Sequence, residues 1–170
     1  MANARRLRIV YDVSMVLFEG FELLDVFGPV ELLARLPEEY RIIYVAPDTG
    51  PVRSSQGAEV VVPVSLKDAA HSDIVFMPGG PGTRCLVRDQ QFLQMLSHVA
   101  APASIVVSVC TGSAVLAAAG LLNGYRATSN KRAFDWASGH GDGVTWVRRA
   151  RWVHDRNRWT SSGVAAGMDM

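Results

Sequence analysis

The sequence predicts an α/β fold, a mostly parallel sheet with helices on both faces and an antiparallel hairpin at one edge. Three observations predict it. Short runs rich in β-branched residues alternate with stretches of helical spacing along the 170 residues, as strands joined by helical crossovers do. One run, Ser104 to Val109 (SIVVSV), carries no charge and suits a strand buried on both faces. From Val144 the alternation gives way to two strand-like runs, Val144 to Val153 and Arg158 to Ser161, around an Asp155-Arg156-Asn157 turn. That pair reads as the edge hairpin.

Each element has its own warrant. Arg8 to Phe18 is β-branched and aromatic, a first strand. In the following FELLDVFGPVELLARL, Leu32, Leu33 and Leu36 sit at helical spacing. Pro29 suits the first turn of that helix, where a missing N–H costs nothing, which puts Asp25 in the turn just ahead of it. Tyr40 to Ala46 reads as a second strand, Pro47 to Gly57 as turn, and Ala58 to Val64 as a short β run. Asp73 to Met77 is a compact buried strand ending on Pro78-Gly79-Gly80-Pro81-Gly82. A helix is expected over Gln90 to Ala100, and another of small residues over Thr111 to Ala119, stopped by Gly120. The chain ends at Gly163 to Met170 just as a helix begins, where an α/β sheet needs a cover. The expectation is one domain, residues 1–170, with its C-terminal covering helix truncated.

Composition narrows the function. Seventeen Lys and Arg against sixteen Asp and Glu leave a net charge of +1, too balanced for a dedicated nucleic-acid binder. The longest uncharged apolar stretch, Ala114 to Leu122, is far short of the roughly 20 residues that span a bilayer. The start of the chain lacks a signal-peptide core. Two cysteines make no disulfide framework, so a reducing, cytoplasmic setting is expected.

The strongest chemical feature is Ser108-Val109-Cys110-Thr111-Gly112-Ser113, a buried strand, a cysteine and a helix start of small residues. That is the strand–nucleophile–helix turn of G-x-S-x-G enzymes with Cys as nucleophile. A helix N-terminus there would favour the thiolate; the plainer reading is a buried structural cysteine. The glycine loop follows another strand along the same sheet edge, where its N–H groups could face an anion; an ordinary tight turn fits it equally. Asp25 also belongs to that edge. Two readings of it stand: a proton carrier for the sulfur, or an N-terminal cap of its helix. Glu22 and Glu31 are fallback carboxylates facing solvent. His71, His98, His140 and His154 lack metal-ligand spacing, so no metal is expected. Cys85 reads as a small buried hydrophobe, with resolution of an oxidised Cys110 as the alternative. Arg148, Arg149 and Arg151 with Trp146 and Trp152 read as the outer and packing faces of the hairpin. Gly139 to Gly143 reads as a loop.

Four stretches together resemble the DJ-1/PfpI superfamily, relatives of class I glutamine amidotransferases, and within it the isocyanide (isonitrile) hydratase branch. They are LLDVFGPVELLA (23–34), DIVFMPGGPGT (73–83), VSVCTGSAVLAAAGLLNGYRATS (107–129) and WTSSGVAAGMDM (159–170). The resemblance implies a flavodoxin-like three-layer sandwich, commonly a homodimer, that needs no cofactor. It implies Cys110 as nucleophile, Asp25 as acid–base carboxylate, Thr111 as the residue whose backbone N–H assists, and Gly79 and Gly80 as a pair whose amides face the thiolate. The implied reaction is hydration of R–N≡C to an N-substituted formamide through a cysteine thioimidate. The sequence departs from peptidase members, which carry His directly after the cysteine, because that residue is Thr111. It departs from Cys-His members too, since the segment after the Ala-Thr strand reads Ser129-Asn130-Lys131. Alternative readings are a glyoxalase-like enzyme, a ligand-sensing regulatory domain and an inactive copy.

Overall fold

A computed structural model describes residues 10–69 and 71–170. In chain order the elements are β1 (Tyr11–Val16), α1 (Leu23–Leu33), β2 (Tyr40–Ala46), β3 (Gly50–Arg53), β4 (Glu59–Val62), β5 (Val64–Ser65) and β6 (Ile74–Met77). Then come α2 (Thr83–Leu86), α3 (Gln90–Ala100), β7 (Ile105–Val109), α4 (Gly112–Ala118), β8 (Arg126–Ala127) and α5 (Phe134–Ala137). The last four are β9 (Thr145–Trp146), β10 (Trp152–Asp155), β11 (Arg158–Ser161) and α6 (Val164–Asp169). Arg8 and Ile9 of the expected first strand lie outside the described residues.

Seven strands form the main sheet in the order β10-β11-β7-β6-β1-β2-β5. All neighbours are parallel except β10, which runs antiparallel to β11 as the edge hairpin. Chain direction across the sheet reverses between β1 and β6: β2 and β5 continue to one side, β6 and β7 to the other. Ligand sites in open parallel sheets form at the carboxyl ends of strands beside such a switch point.

Strand alternation divides the core between two faces. On β1, Val16 packs with one cluster that includes Phe21, Leu96, Leu116 and Leu122, while Val13 and Met15 pack with the other. On β7, Val106 joins the first cluster and Val107 and Val109 the second. The second face carries α1 and α6, and between them runs an apolar groove of about 250 Å³ lined by residues including Leu32, Phe76, Val107, Trp159 and Met168.

Several elements differ from expectation. Helix α1 begins at Leu23, so Asp25 is its third residue and Pro29 lies in its interior. Pro29 has no N–H to give the Asp25 carbonyl four residues earlier. The expected turn at Pro47 to Gly57 holds β3, which pairs antiparallel with β4 in a separate ribbon. Its turn supplies what α1 lacks: Gln56 Oε1 accepts from Leu23 N at 3.1 Å, and Gln56 Nε2 donates to Glu22 Oε1 at 2.8 Å. The expected long strand from Val144 to Val153 is split. Thr145 and Trp146 pair with β8, a turn follows, and only Trp152 onward enters the hairpin. Arg148 and Arg149 are therefore in that turn rather than on the hairpin. Arg148 pairs with Asp135, and Arg151 with Asp169. Cys85 is exposed on α2, not buried. Helix α3 has the expected bounds, with Asp89 accepting from Phe92 N at 3.0 Å as its cap.

Candidate active site

Three connections meet at the carboxyl ends of adjacent strands. The segment after β1 delivers Asp25, the loop after β6 delivers Gly79 and Gly80, and the turn after β7 delivers Cys110. Their convergence is measurable at Gly79. A Cβ placed there would lie 2.7 Å from Thr111 N, 2.8 Å from Asp25 Oδ2 and 2.8 Å from Cys110 Cβ. Only glycine fits where helix, loop and turn approach this closely.

Cys110 has φ +57°, a left-handed conformation that a non-glycine residue rarely adopts, at a cost of about 1–3 kcal/mol. Its surroundings hold it there. Cys110 N donates to Ser161 O at 3.0 Å, and the Cys110 carbonyl accepts from Ser113 Oγ at 3.2 Å and Ser129 Oγ at 3.1 Å. The next residue but one must be small: a Cβ on Gly112 would sit 2.3 Å from Met77 O. This strained strand-to-helix turn sets Cys110, half-buried, at the sheet edge.

Asp25 is fully buried. Its Oδ2 accepts from Gly79 N at 3.0 Å, and its Oδ1 is buried without a hydrogen-bond partner among the described residues. The capping alternative is thereby excluded. Glu22 stands at the cap position, and the Asp25 carboxylate reaches across to the glycine loop. Burial pushes the Asp25 pKa up to about 7, opposed by the Gly79 amide, assisted by the nearby Glu22 charge and opposed again by the Cys110 side chain. A carboxyl group poised near neutrality can both take and give a proton.

The sulfur departs from expectation. Burial, then the Asp25 charge, push the Cys110 thiol up to about 12. Hydrogen bonding from the Thr111 backbone, the Asn130 side chain and the Thr111 hydroxyl pulls the other way without winning. The N-terminus of α4, a helix of seven residues, does not make this a resting thiolate. The thiol and carboxyl group instead form one coupled pair that shares a proton above about pH 7.

Gly80 is placed differently from the expected pair of thiolate-facing amides. Its N–H donates to Thr111 Oγ1 at 3.0 Å, as Gly79 N–H does to Asp25. Glu31 is exposed and pairs with Arg35 at 2.7 Å, so it is away from the site. Among the described residues no group of three or more His, Cys, Asp or Glu could hold a metal. Sequence reasoning did not single out Asn130, Ser129 or Thr83, because each reaches the site through contacts between segments far apart in the chain. The one available signal was the polar Ser129-Asn130 directly after a short strand.

Fold and site define a class: an α/β protein with a strained cysteine elbow and a buried carboxyl group at the switch point of its sheet. The chain belongs to the DJ-1/PfpI family, whose model matches residues 11–170. It is 38% identical over 158 residues to the isonitrile hydratase of Pseudomonas putida, covering 93% of this chain and 68% of that protein. A crystal structure of a ThiJ/PfpI family protein from Pseudomonas syringae superposes with a TM-score of 0.86 at 33% identity, covering 98% of this chain and 68% of that one. The chain is also 30% identical over 164 residues to the HTH-type transcriptional regulator GbdR of Pseudomonas aeruginosa, covering 94% of this chain and 44% of the regulator.

Proposed function

We propose that this protein hydrates isonitriles to N-substituted formamides, with Cys110 as nucleophile and Asp25 as proton carrier. The observation that carries the reading is the buried Asp25 carboxyl group beside the Cys110 sulfur, its Oδ1 without a hydrogen-bond partner among the described residues. The identity with isonitrile hydratase across most of the chain supports it.

The geometry suits a proton-neutral addition. Asp25 takes the thiol proton as the sulfur bonds to the terminal carbon of R–N≡C, then returns that proton to the same carbon, giving the thioimidate R–N=CH–S–Cys110. Water adds to this carbon, with Asp25 accepting its proton and passing one to nitrogen. The C–S bond breaks, the sulfur leaves with its electron pair and regains a proton, and R–NH–CHO is released. One water is consumed and nothing is oxidised or reduced. Thr111 N–H and the Asn130 side chain, which favour the sulfur anion, assist its departure.

The test is incubation of the purified chain with an alkyl isonitrile while formamide is followed, beside Cys110→Ser and Asp25→Ala. Turnover lost in both variants supports the reading. A folded wild-type chain without turnover overturns it and favours the second reading, a ligand-sensing domain, which the similarity to GbdR supports.

A further inference from the structure

Exposed cations gather on the segment that follows Ser129 and on the loops packed beside it. Arg84, Lys131, Arg132 and Arg149 are exposed, and among the described residues none of the four pairs with a carboxylate. Their neighbour Arg148 is neutralised by Asp135. A chain with a net charge of +1 has no general excess to spread here, so the concentration is local. Two contacts hold it in shape. The Arg84 guanidinium lies 3.6 Å over the Trp136 ring, a cation–π contact that leaves its charge unopposed. Lys131 Nζ donates to Thr128 Oγ1 at 2.8 Å and to the Ala150 carbonyl, which ties the segment to the turn that carries Arg149.

Short contacts connect this cluster with the site. Ser129 Oγ donates to Cys110 O at 3.1 Å, and three residues later comes Arg132, its Cα within about 11 Å of that of Ser129. Arg132 N donates to Asn130 Oδ1 at 3.0 Å, which folds the segment back on itself. Cys110 N donates to Ser161 O at 3.0 Å and Ser162 N to Arg151 O at 2.8 Å, so the turn of Arg149 reaches the elbow through β11. The acids of the site arrive from the opposite direction: Asp25 and Glu22 come with α1 after β1, whereas β11 lies on the other side of β7. A reactant at Cys110 therefore has carboxyl groups on one flank and unpaired cations on the other.

We propose that this basic rim recognises a negative charge on the tail of the reactant, so that Cys110 favours reactants whose reacting carbon is neutral and whose far end is anionic. Applied to the hydration proposed above, and resting on it, the preferred substrates are isonitriles whose R group carries a carboxylate. The neutral isonitrile carbon meets the sulfur and Asp25, while the carboxylate turns toward Arg132 and Arg149 and away from Asp25 and Glu22. The side chains of Arg132 and Arg149 make no other contact among the described residues, so a carboxylate displaces no internal partner.

Two matched pairs of reactants test this. N-ethylmaleimide and 3-maleimidopropionate share their reacting carbon and differ in a carboxylate on the tail. Their rates at Cys110 are read by mass spectrometry of its peptide, separately from that of Cys85. The ratio of the two rates cancels any change in the fraction of thiolate. In Arg132→Gln/Arg149→Gln at about 10 mM salt, the anionic-to-neutral ratio is expected to fall roughly two- to threefold, and the difference to shrink near 0.15 M. Arg132→Lys/Arg149→Lys keeps both charges and should keep the wild-type ratio. Arg35→Gln, which removes a charge beside Glu31 away from the site, should do the same. Isocyanoacetate and its methyl ester extend the comparison to turnover, and the ratio of their kcat/KM values should move in the same direction. A maleimide ratio unchanged in Arg132→Gln/Arg149→Gln, or lowered equally by Arg35→Gln, overturns the proposal. So does a wild-type ratio that stays flat as salt rises, or a kcat/KM ratio that does not move while formamide forms. Absence of turnover with both isonitriles overturns the hydration reading alone, and the maleimide ratio then decides the role of the rim.

Discussion

A buried carboxyl group that must hold a proton near neutrality has a thermodynamic cost, and Asp25 exposes it to measurement. Its folded pKa of about 7 lies above its ordinary 3.8. Between about pH 4 and 7 the folded chain therefore holds a proton that the unfolded chain has released. Stability from this group is fully present below about pH 4 and is lost as pH rises through 7, by on the order of a few kcal/mol. Asp25→Asn keeps an oxygen for the Gly79 amide but cannot ionise. It is expected to abolish formamide turnover while raising the urea midpoint at pH 8, with little change at pH 4.5. A midpoint difference that is the same at both pH values would sink this account of Asp25. Gly79→Ala tests the convergence itself. Its methyl group would press on Thr111 N, on Asp25 and on Cys110 together, and overpacking of this kind costs about 1–3 kcal/mol. Turnover should fall with stability, whereas a wild-type rate in Gly79→Ala would show that the three groups can separate freely.

At the level of elements, what holds the site is partly what the sequence displayed and partly what it concealed. Strand β7 and helix α3 were legible because an uncharged run rich in valine and an amphipathic repeat each speak for themselves. Cys110, Asp25 and Gly79 were legible because each follows a recognisable strand toward the same sheet edge. The β3–β4 ribbon was not, since Pro51 and the turn-rich residues around it mask a pairing that only a partner strand creates. The single-turn helices α2 and α5 and the two-residue strands β8 and β9 are likewise set by their neighbours rather than by periodicity. Yet the concealed ribbon matters to the chemistry. Gln56 at its turn caps α1 through Leu23 N and binds Glu22, whose charge raises the proton affinity of Asp25. Gln56→Ala is expected to cost about 0.5–1 kcal/mol, as loss of an exposed cap does. It should also let Glu22 turn toward solvent, so the rising limb of the pH–rate profile moves to lower pH. Thermal melts and a kcat/KM profile between pH 5 and 9 read the two effects separately, and a limb that stays in place would mean Glu22 is not held by Gln56.

For the whole molecule, the two faces of the sheet are unequally covered among the described residues, and the expected consequence is association through the open one. One face is closed by α2, α3 and α4 over a continuous core, while among the described residues the other carries α1 and α6 with the apolar groove between them. Leu32 and Met168 on the rims of that groove are 51% and 42% exposed, which leaves the apolar surface open to water. The chain has a net charge of only +1 at pH 7, so little repulsion keeps two copies apart. Association should therefore be strongest near pH 8 and weaken toward pH 6. Over that range Asp25 loses its negative charge as it takes up its proton, which adds to the net positive charge. Leu32→Glu places a carboxylate on the rim of the groove at a site half open to solvent. It should reduce light scattering and the fluorescence of an added hydrophobic dye, at a stability cost within about 0.5 kcal/mol. Sedimentation velocity separates two origins of the association. A discrete dimer abolished by Leu32→Glu places the contact on this groove, whereas a dimer that persists in the variant places it elsewhere.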